Sequence, residues 1–278
     1  MRAGLVQLNV TDDVDVNIPV TVAHVRAAVA GGAGFVLTPE VTGLLTADKL
    51  RQRALIVPED QDRTLAALRD EAARAGIWLL IGSLGIKVRD EADGRFANRS
   101  FLIGPDGGIV ARYDKIHMFD VNVSDTEVFR ESAEYRPGAQ AVVAATPFGK
   151  IGLSVCYDLR FPHLYRRLAQ GGAEILTIPA AFNHITGQAH WEVLLRARAI
   201  ESGAWVLAPA QTGQHIQDSA PGKRRTHGHS MVVAPWGEVV SDAGAEPGVT
   251  FAEIDLDQVA RARHRVPSLS HDRPFDGP

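Results

Sequence analysis

Apolar residues fall along this chain in short dense runs, and the segments between them carry a helical repeat. "RAGLVQLNV" (2–10), "GFVLTPE" (34–40) and "IWLLIGSLGI" (77–86) are each too short for a helix and rich in β-formers, so they predict buried strands. "NIPVTVAHVRAAVAGGAG" (17–34) predicts a helix closed by glycines. "DQDRTLAALRDEAARAG" (60–76) predicts an amphipathic helix, with Asp62 as N-cap and Gly76 as its stop. This strand–helix alternation predicts a layered α/β fold.

Two apolar runs around Pro-Asp-Gly-Gly in "NRSFLIGPDGGIVARYDK" (98–115) predict a hairpin. A polar loop is expected over 118–138. Strands are predicted at "KIGLSVC" (150–156), "AEILTIPAA" (173–181) and "AWVLAPAQTG" (204–213). Helices are predicted at "FPHLYRRLAQGG" (161–172), with Pro162 in its first turn, and at "HWEVLLRARAIESG" (190–203). "HSMVVAPWGEVV" (229–240) is a second hairpin around Pro-Trp-Gly. The two hairpins echo one another: Ser100–Val110 and Ser230–Val240 share Ser, three apolar residues, a small residue, Pro, x, Gly, x, an apolar residue and Val. The echo suggests a pseudo-two-fold of halves packed sheet on sheet with helices outside. No linker or composition shift separates them, so residues 1–278 read as one domain. The proline-bearing tail, 265–278, is expected to pack on a partner subunit.

Composition narrows the class. Hydrophobic residues make up 45% and charged residues 22%, with a formal net charge of -4, so no basic surplus points to nucleic acid. The run Lys223-Arg224-Arg225 reads as a solvated loop. No apolar stretch is long enough to span a bilayer. One cysteine in 278 residues cannot form an internal disulfide, which fits a reducing compartment. With no signal-peptide pattern at the start, a cytoplasmic protein is expected.

Three reactive side chains end predicted apolar strands: Glu40, Lys115 and Cys156. That edge is where ligand crevices form in α/β sheets. Cys156 sits at a strand–turn–helix junction, a context resembling a nucleophile elbow without the G-x-S-x-G pattern. A helix N-terminus and nearby cations would favour its thiolate. The competing reading is a buried core thiol. A catalytic cysteine needs a base and an oxyanion donor. Glu40 in an apolar pocket suits the first role and Lys115 the second, although both could equally be surface charges. His227 and His229 share a strand face, but no Cys or carboxylate completes a metal set nearby. His184 and His190 read as local hydrogen-bonding residues.

Glu40 in "LTPE", Lys115 in "RYDKIHMFD" and Cys156 in "SVCYDLRFP" together resemble the Glu-Lys-Cys triad of the nitrilase superfamily of carbon–nitrogen hydrolases. "GS" (82–83), "NRS" (98–100), "PDG" (105–107), "FRESAEYRPG" (129–138) and "GHSMVVAPWGEVV" (228–240) follow in family order across nearly the whole chain. The resemblance implies a four-layer αββα sandwich with an internal pseudo-two-fold, and a homodimer or higher even oligomer. It implies Glu40 as general base and acid, Lys115 as oxyanion stabiliser and Cys156 as nucleophile. Glu131 would position Lys115 or the substrate, and the Tyr157 N–H would join the oxyanion hole. Neither a metal nor an organic cofactor is implied.

"AFNHITGQAHWEVLLRARAIESGAWVLAPAQTG" (181–213) resembles the small-amidase branch that contains deaminated glutathione amidases and ω-amidases. The expected substrate is therefore a small carboxylated amide cleaved through a thioester. An ω-amidase, or a nitrile or N-carbamoyl hydrolase, is the alternative within the superfamily. Phe182, His190 and Trp191 are candidate pocket residues because their loop follows a strand end. An ion pair between Asp158 and Arg160 is expected to hold the elbow. Two further readings compete: a binding scaffold that kept the fold without the chemistry, and a cysteine–histidine protease, for which no histidine stands in a convincing position.

Overall fold

The computed structural model describes residues 1–89, 93–124, 127–215 and 224–277. The chain opens with β1 (Arg2–Gln7), α1 (Val14–Ala30), β2 (Phe35–Leu37), α2 (Lys49–Leu55), α3 (Arg63–Ala75) and β3 (Trp78–Lys87), followed by the hairpin β4 (Phe96–Ile103) and β5 (Ile109–Asp114). A short ribbon follows, β6 (Asp120–Asn122) against β7 (Val128–Arg130). The second half runs β8 (Val142–Thr146), β9 (Gly149–Leu153), α4 (Pro162–Gln170), β10 (Ile175–Thr177), α5 (His184–Ser202) and β11 (Trp205–Ala208). Then come a second ribbon, β12 (Thr212–Gln214) with β13 (Arg225–His227), and the hairpin β14 (Met231–Val233) and β15 (Val239–Asp242). β16 (Gly248–Glu253) and α6 (Asp257–Arg265) follow.

Two six-stranded sheets result, ordered β16-β1-β2-β3-β4-β5 and β8-β9-β10-β11-β14-β15. Their pairings match strand for strand. Each sheet has an antiparallel edge strand, three parallel strands, then the antiparallel hairpin. β16 stands to β1 as β8 stands to β9, and the two echoing sequences occupy equivalent hairpins. The chain therefore closes on itself: β16 pairs along all of β1, and the N-terminal amine donates to the Ile254 carbonyl at 3.0 Å.

Side-chain alternation divides the core. On the first sheet, Leu5, Phe35, Leu37, Leu80 and Leu102 point toward the second sheet and pack with Ile151, Leu153 and Ile175. Their neighbours Val6, Val36, Leu79, Ile81 and Ile103 face the other way, onto Val25 and Ala28 of α1 and Leu65, Leu68 and Ala72 of α3. On the second sheet's outer side lie Leu164, Tyr165 and Leu168 of α4 and Trp191, Leu195 and Ala199 of α5. Helix, sheet, sheet, helix is the expected four-layer order, and each fully buried aliphatic contributes about 1.5–3 kcal/mol.

Helix limits follow from capping. Asp62 accepts from the Leu65 N–H at 2.7 Å and Gly76 closes α3 at φ 64, as expected. α1 begins earlier than predicted because Asp13 caps it through the Asp15 N–H. α5 begins at His184, not His190, because the Asn183 side chain accepts from the Ile185 and Thr186 N–H groups. α2 was not expected, and the predicted polar loop 118–138 contains the β6–β7 ribbon; pieces this short carry too little periodicity to register in sequence. The tail does not leave its own chain at once. Arg166 of α4 donates to the Ser268 carbonyl at 2.9 Å and pairs with Asp272, while Gln170 donates to the Leu269 carbonyl at 3.1 Å. Among the described residues, no helix is long and apolar enough to cross a membrane.

Candidate active site

Glu40 lies three residues beyond β2, Lys115 directly follows β5, and Cys156 lies three beyond β9. The two sheets bring these strand ends to the floor of one cavity of about 380 Å³, which Glu131, Tyr157 and Phe182 also line. That volume lies within the range of small-molecule sites.

The turn carrying Glu40 is held by "GS" of the 82–83 motif. Gly82 donates to Thr38 Oγ1 at 3.2 Å, and Ser83 Oγ accepts from the Val41 N–H at 3.0 Å. A Cβ on Gly82 would lie 2.2 Å from the Thr38 carbonyl oxygen and 2.5 Å from Pro179 Cβ. Only glycine lets the loops of the two sheets close here. Cys156 sits on a strained elbow: its φ is +48, its N–H donates to the Pro179 carbonyl at 2.9 Å, and the tight turn Cys156–Arg160 leads into α4. Val41, next to Glu40, also has φ +52. Positive φ at a β-branched residue is costly and persists only where surrounding structure enforces it.

The charged groups interlock. Lys115 Nζ lies 3.0 Å from Glu40 Oε1 and 2.8 Å from Glu131 Oε2, with its side chain 2% exposed. Asn98 Nδ2 bridges the same carboxylates, at 2.9 Å from Glu40 and 3.1 Å from Glu131. The Ala181 N–H donates to Glu40 Oε2 at 2.8 Å, and the Phe119 N–H to Glu131 Oε2 at 2.7 Å. Burial opposes the charge of Glu40, but Lys115, Cys156 and Ala181 outweigh it and hold its pKa below the ordinary value. Burial also opposes the charge of Lys115, yet Glu131 and Glu40 push its pKa well above the lysine range.

Cys156 departs from expectation. Burial, then the charge of Glu40, push its thiol well above the usual range, against the opposing pull of Lys115. A thiolate would add a third anion beside two carboxylates served by one ammonium. Like charges about 4 Å apart in a protein medium repel by roughly 4 kcal/mol. The resting pair is therefore a neutral thiol hydrogen-bonded to the Glu40 carboxylate, not a standing thiolate.

Other expectations are corrected. Trp191 packs behind Phe182, ring centroids 4.9 Å apart and tilted by 49°, and donates to the His229 carbonyl at 2.8 Å; it is core, not lining. His190 is exposed, 3.3 Å from Arg160. Asp158 and Arg160 form no ion pair. Asp158 is fully buried and accepts from the Tyr113 hydroxyl at 2.7 Å, the Val155 N–H at 2.9 Å and the His117 N–H at 3.0 Å. Arg160 instead lies over the rings of Tyr157 and Phe182. Of the basic run, Lys223 lies outside the described residues and Arg225 is exposed, but Arg224 lines the cavity. Asn98 and the Ala181 N–H carried no expected role; the polar "NRS" inside an apolar strand was the available signal for the first. Among the described residues, no cluster of three or more His, Cys, Asp or Glu is arranged to hold a metal.

Comparison with known proteins agrees with this architecture. A deaminated glutathione amidase of Synechocystis is 41% identical over 273 residues, covering 97% of both chains. The Homo sapiens protein of that name is 40% identical over 270 residues, 96% of this chain and 81% of the other. The crystal structure of the C. elegans NitFhit protein superposes with a TM-score of 0.88 at 36% identity; it covers 98% of this chain, which spans 65% of that one. A family model described as carbon–nitrogen hydrolase matches residues 2–264, and the chain belongs to the carbon–nitrogen hydrolase family.

Proposed function

We propose that this protein is a cysteine-dependent amidase of the deaminated glutathione amidase kind, using Glu40, Lys115 and Cys156 as its triad. The observation carrying the proposal is the hydrogen-bonded convergence of these three side chains, with Glu131, on one cavity floor. As Cys156 Sγ attacks the amide carbonyl carbon, its proton passes to Glu40. Lys115 and the Tyr157 N–H stabilise the oxyanion. The C–N bond breaks as Glu40 returns that proton to the departing nitrogen, leaving a thioester on Cys156. Water then attacks the thioester and gives a proton to Glu40. The C–S bond breaks, the acid leaves, and Glu40 reprotonates the sulfur. Glu131 fixes Lys115 throughout.

Relatives named deaminated glutathione amidase support the choice of substrate. An ω-amidase shares the chemistry and differs in its leaving group. The test is turnover of deaminated glutathione, α-ketoglutaramate, simple nitriles and N-carbamoyl amino acids by purified protein and by Cys156→Ala. Deaminated glutathione should be preferred, and the variant should be inactive but folded; amidase activity retained in Cys156→Ala overturns the assignment. We further propose a homodimer working in the cytoplasm, supported by apolar side chains exposed on α5 and by the single unpaired thiol.

A further inference from the structure

We infer that Arg224 is the specificity-determining residue of this cavity and binds a carboxylate of the substrate. The assignment rests on the amidase reading above and extends it to substrate recognition. The floor of the cavity has one ammonium, Lys115, between the carboxylates Glu40 and Glu131. A substrate carboxylate is repelled from that floor and needs a cation on the walls. Lys49 is paired with Glu134 at 3.2 Å. Arg130 spends its donors on the Val121 carbonyl at 3.1 Å, the Phe129 carbonyl at 2.6 Å and Asn122 Oδ1 at 2.8 Å. Arg224 differs. Its Nη2 donates to the Ala181 carbonyl at 3.0 Å, its guanidinium lies 4.8 Å from the centre of the Phe129 ring, and no carboxylate among the described residues pairs with it.

Its place is fixed by the fold. The Arg224 carbonyl accepts from the His215 N–H at 2.9 Å, just before β13 pairs with β12. Stacking on Phe129 orients the guanidinium, leaving Nη1 and Nε to meet a carboxylate in the planar fork that lysine lacks. The same residue, Ala181, holds both groups: its carbonyl takes Arg224 and its N–H takes Glu40 at 2.8 Å. One residue of backbone and two hydrogen bonds thus put the guanidinium within about 10 Å of the general base. A carboxylate one or two residue lengths from the scissile carbonyl, roughly 3.5–7 Å, spans that interval. Such a group could sit on the acyl half or on a peptidic leaving group.

Arg224→Ala and Arg224→Lys separate these sources. Three amides are compared: glutaramate, with its carboxylate on the acyl half; N-butyryl-alanylglycine, with it on the leaving group; and butyramide, with none. kcat/KM should fall about 10- to 100-fold in Arg224→Ala on one carboxylated amide, as for loss of a charged hydrogen bond, and stay unchanged on butyramide, with Arg224→Lys intermediate. Whichever carboxylated amide suffers identifies the half that Arg224 reads. Equal loss on all three, or loss on none, overturns the proposal and leaves the amidase reading intact. Calorimetric binding of glutarate to wild type and Arg224→Ala needs no turnover. Arg224-dependent binding by a protein that hydrolyses none of the amides would sustain the carboxylate site and overturn the amidase reading.

Discussion

A thiol beside a carboxylate can shuttle a proton only if the two pKa values allow transfer in both directions during a turnover. Here the resting state puts the proton on sulfur, because burial and Glu40 raise the Cys156 pKa while Lys115 and its neighbours lower that of Glu40. Protonating Glu40 removes the base of the proposed mechanism. Since its pKa is depressed, activity should fall only as pH drops below 4.5, the ordinary glutamate value. On the alkaline side, neither Cys156 nor Lys115 loses its proton near its usual pKa. The profile of kcat/KM against pH should therefore be flat from about 5 to about 9. A limb near 6.5, the ordinary histidine value, would favour a histidine base and sink the role given to Glu40. Glu40→Gln should cost about 10²–10⁴ in rate. These residues were legible because a charged or reactive side chain ending an apolar run must meet solvent or a site. Asn98 was legible only as part of the polar "NRS" within an apolar strand, a pattern that does not tell an amide facing water from one bridging two carboxylates. His190 and Trp191 were misplaced because the cap at Asn183 starts α5 earlier and sets their phase around it.

Between elements, Asp158 links the elbow after β9 to the end of β5 and the segment that follows it. It takes the Val155 N–H on its own side, and the Tyr113 hydroxyl, His117 N–H and His117 Nδ1 on the other. Lys115 lies between Tyr113 and His117, so one buried carboxylate sets the turn of Cys156, the proposed nucleophile, against Lys115, the proposed oxyanion cation. An ion pair with Arg160 was a natural expectation from spacing alone, but the turn sends the two side chains in different directions. Asp158→Asn would set an amide N–H against these donors. Losing charged hydrogen bonds costs about 1.5–3 kcal/mol each, so the variant should melt at a lower temperature. If the tie positions catalytic groups, kcat should also fall in the surviving folded protein while KM changes little. A stability loss with kcat intact would reduce Asp158 to a structural role. The short elements around it, α2 and the β6–β7 ribbon, escaped sequence reading because a turn or two of helix, or three residues of strand, set no period.

At the scale of the molecule, the hairpin echo correctly anticipated two equivalent sheets, while β16 stayed hidden because its partner, β1, lies at the opposite end of the chain. Such pairing leaves no local trace. The same architecture exposes a flank. On α5, Val193 is 66% and Ile200 56% exposed, and the β14–β15 turn adds Trp236 at 45%. Ile200 and that turn are neighbours, since a Cβ on Gly237 would lie 2.7 Å from Ile200 Cδ1 and Arg196 donates to the Gly237 carbonyl at 2.9 Å. The tail's last turn, Ser268–Ser270, also packs near α4 and α5. Adjacent apolar side chains on one face mark an association surface more than scattered ones do. A stable pairing would bury more than about 1,000 Å² there. If α5 forms the dimer seam, Ile200→Glu puts an unpaired charge into it, which is costly when buried. Light scattering should then give a dimer for the wild type and a monomer for Ile200→Glu, with the far-ultraviolet circular dichroism of the two alike because Ile200 lies outside the core. A wild-type monomer would contradict the dimer itself, whereas a variant that stays dimeric would move the seam to another face.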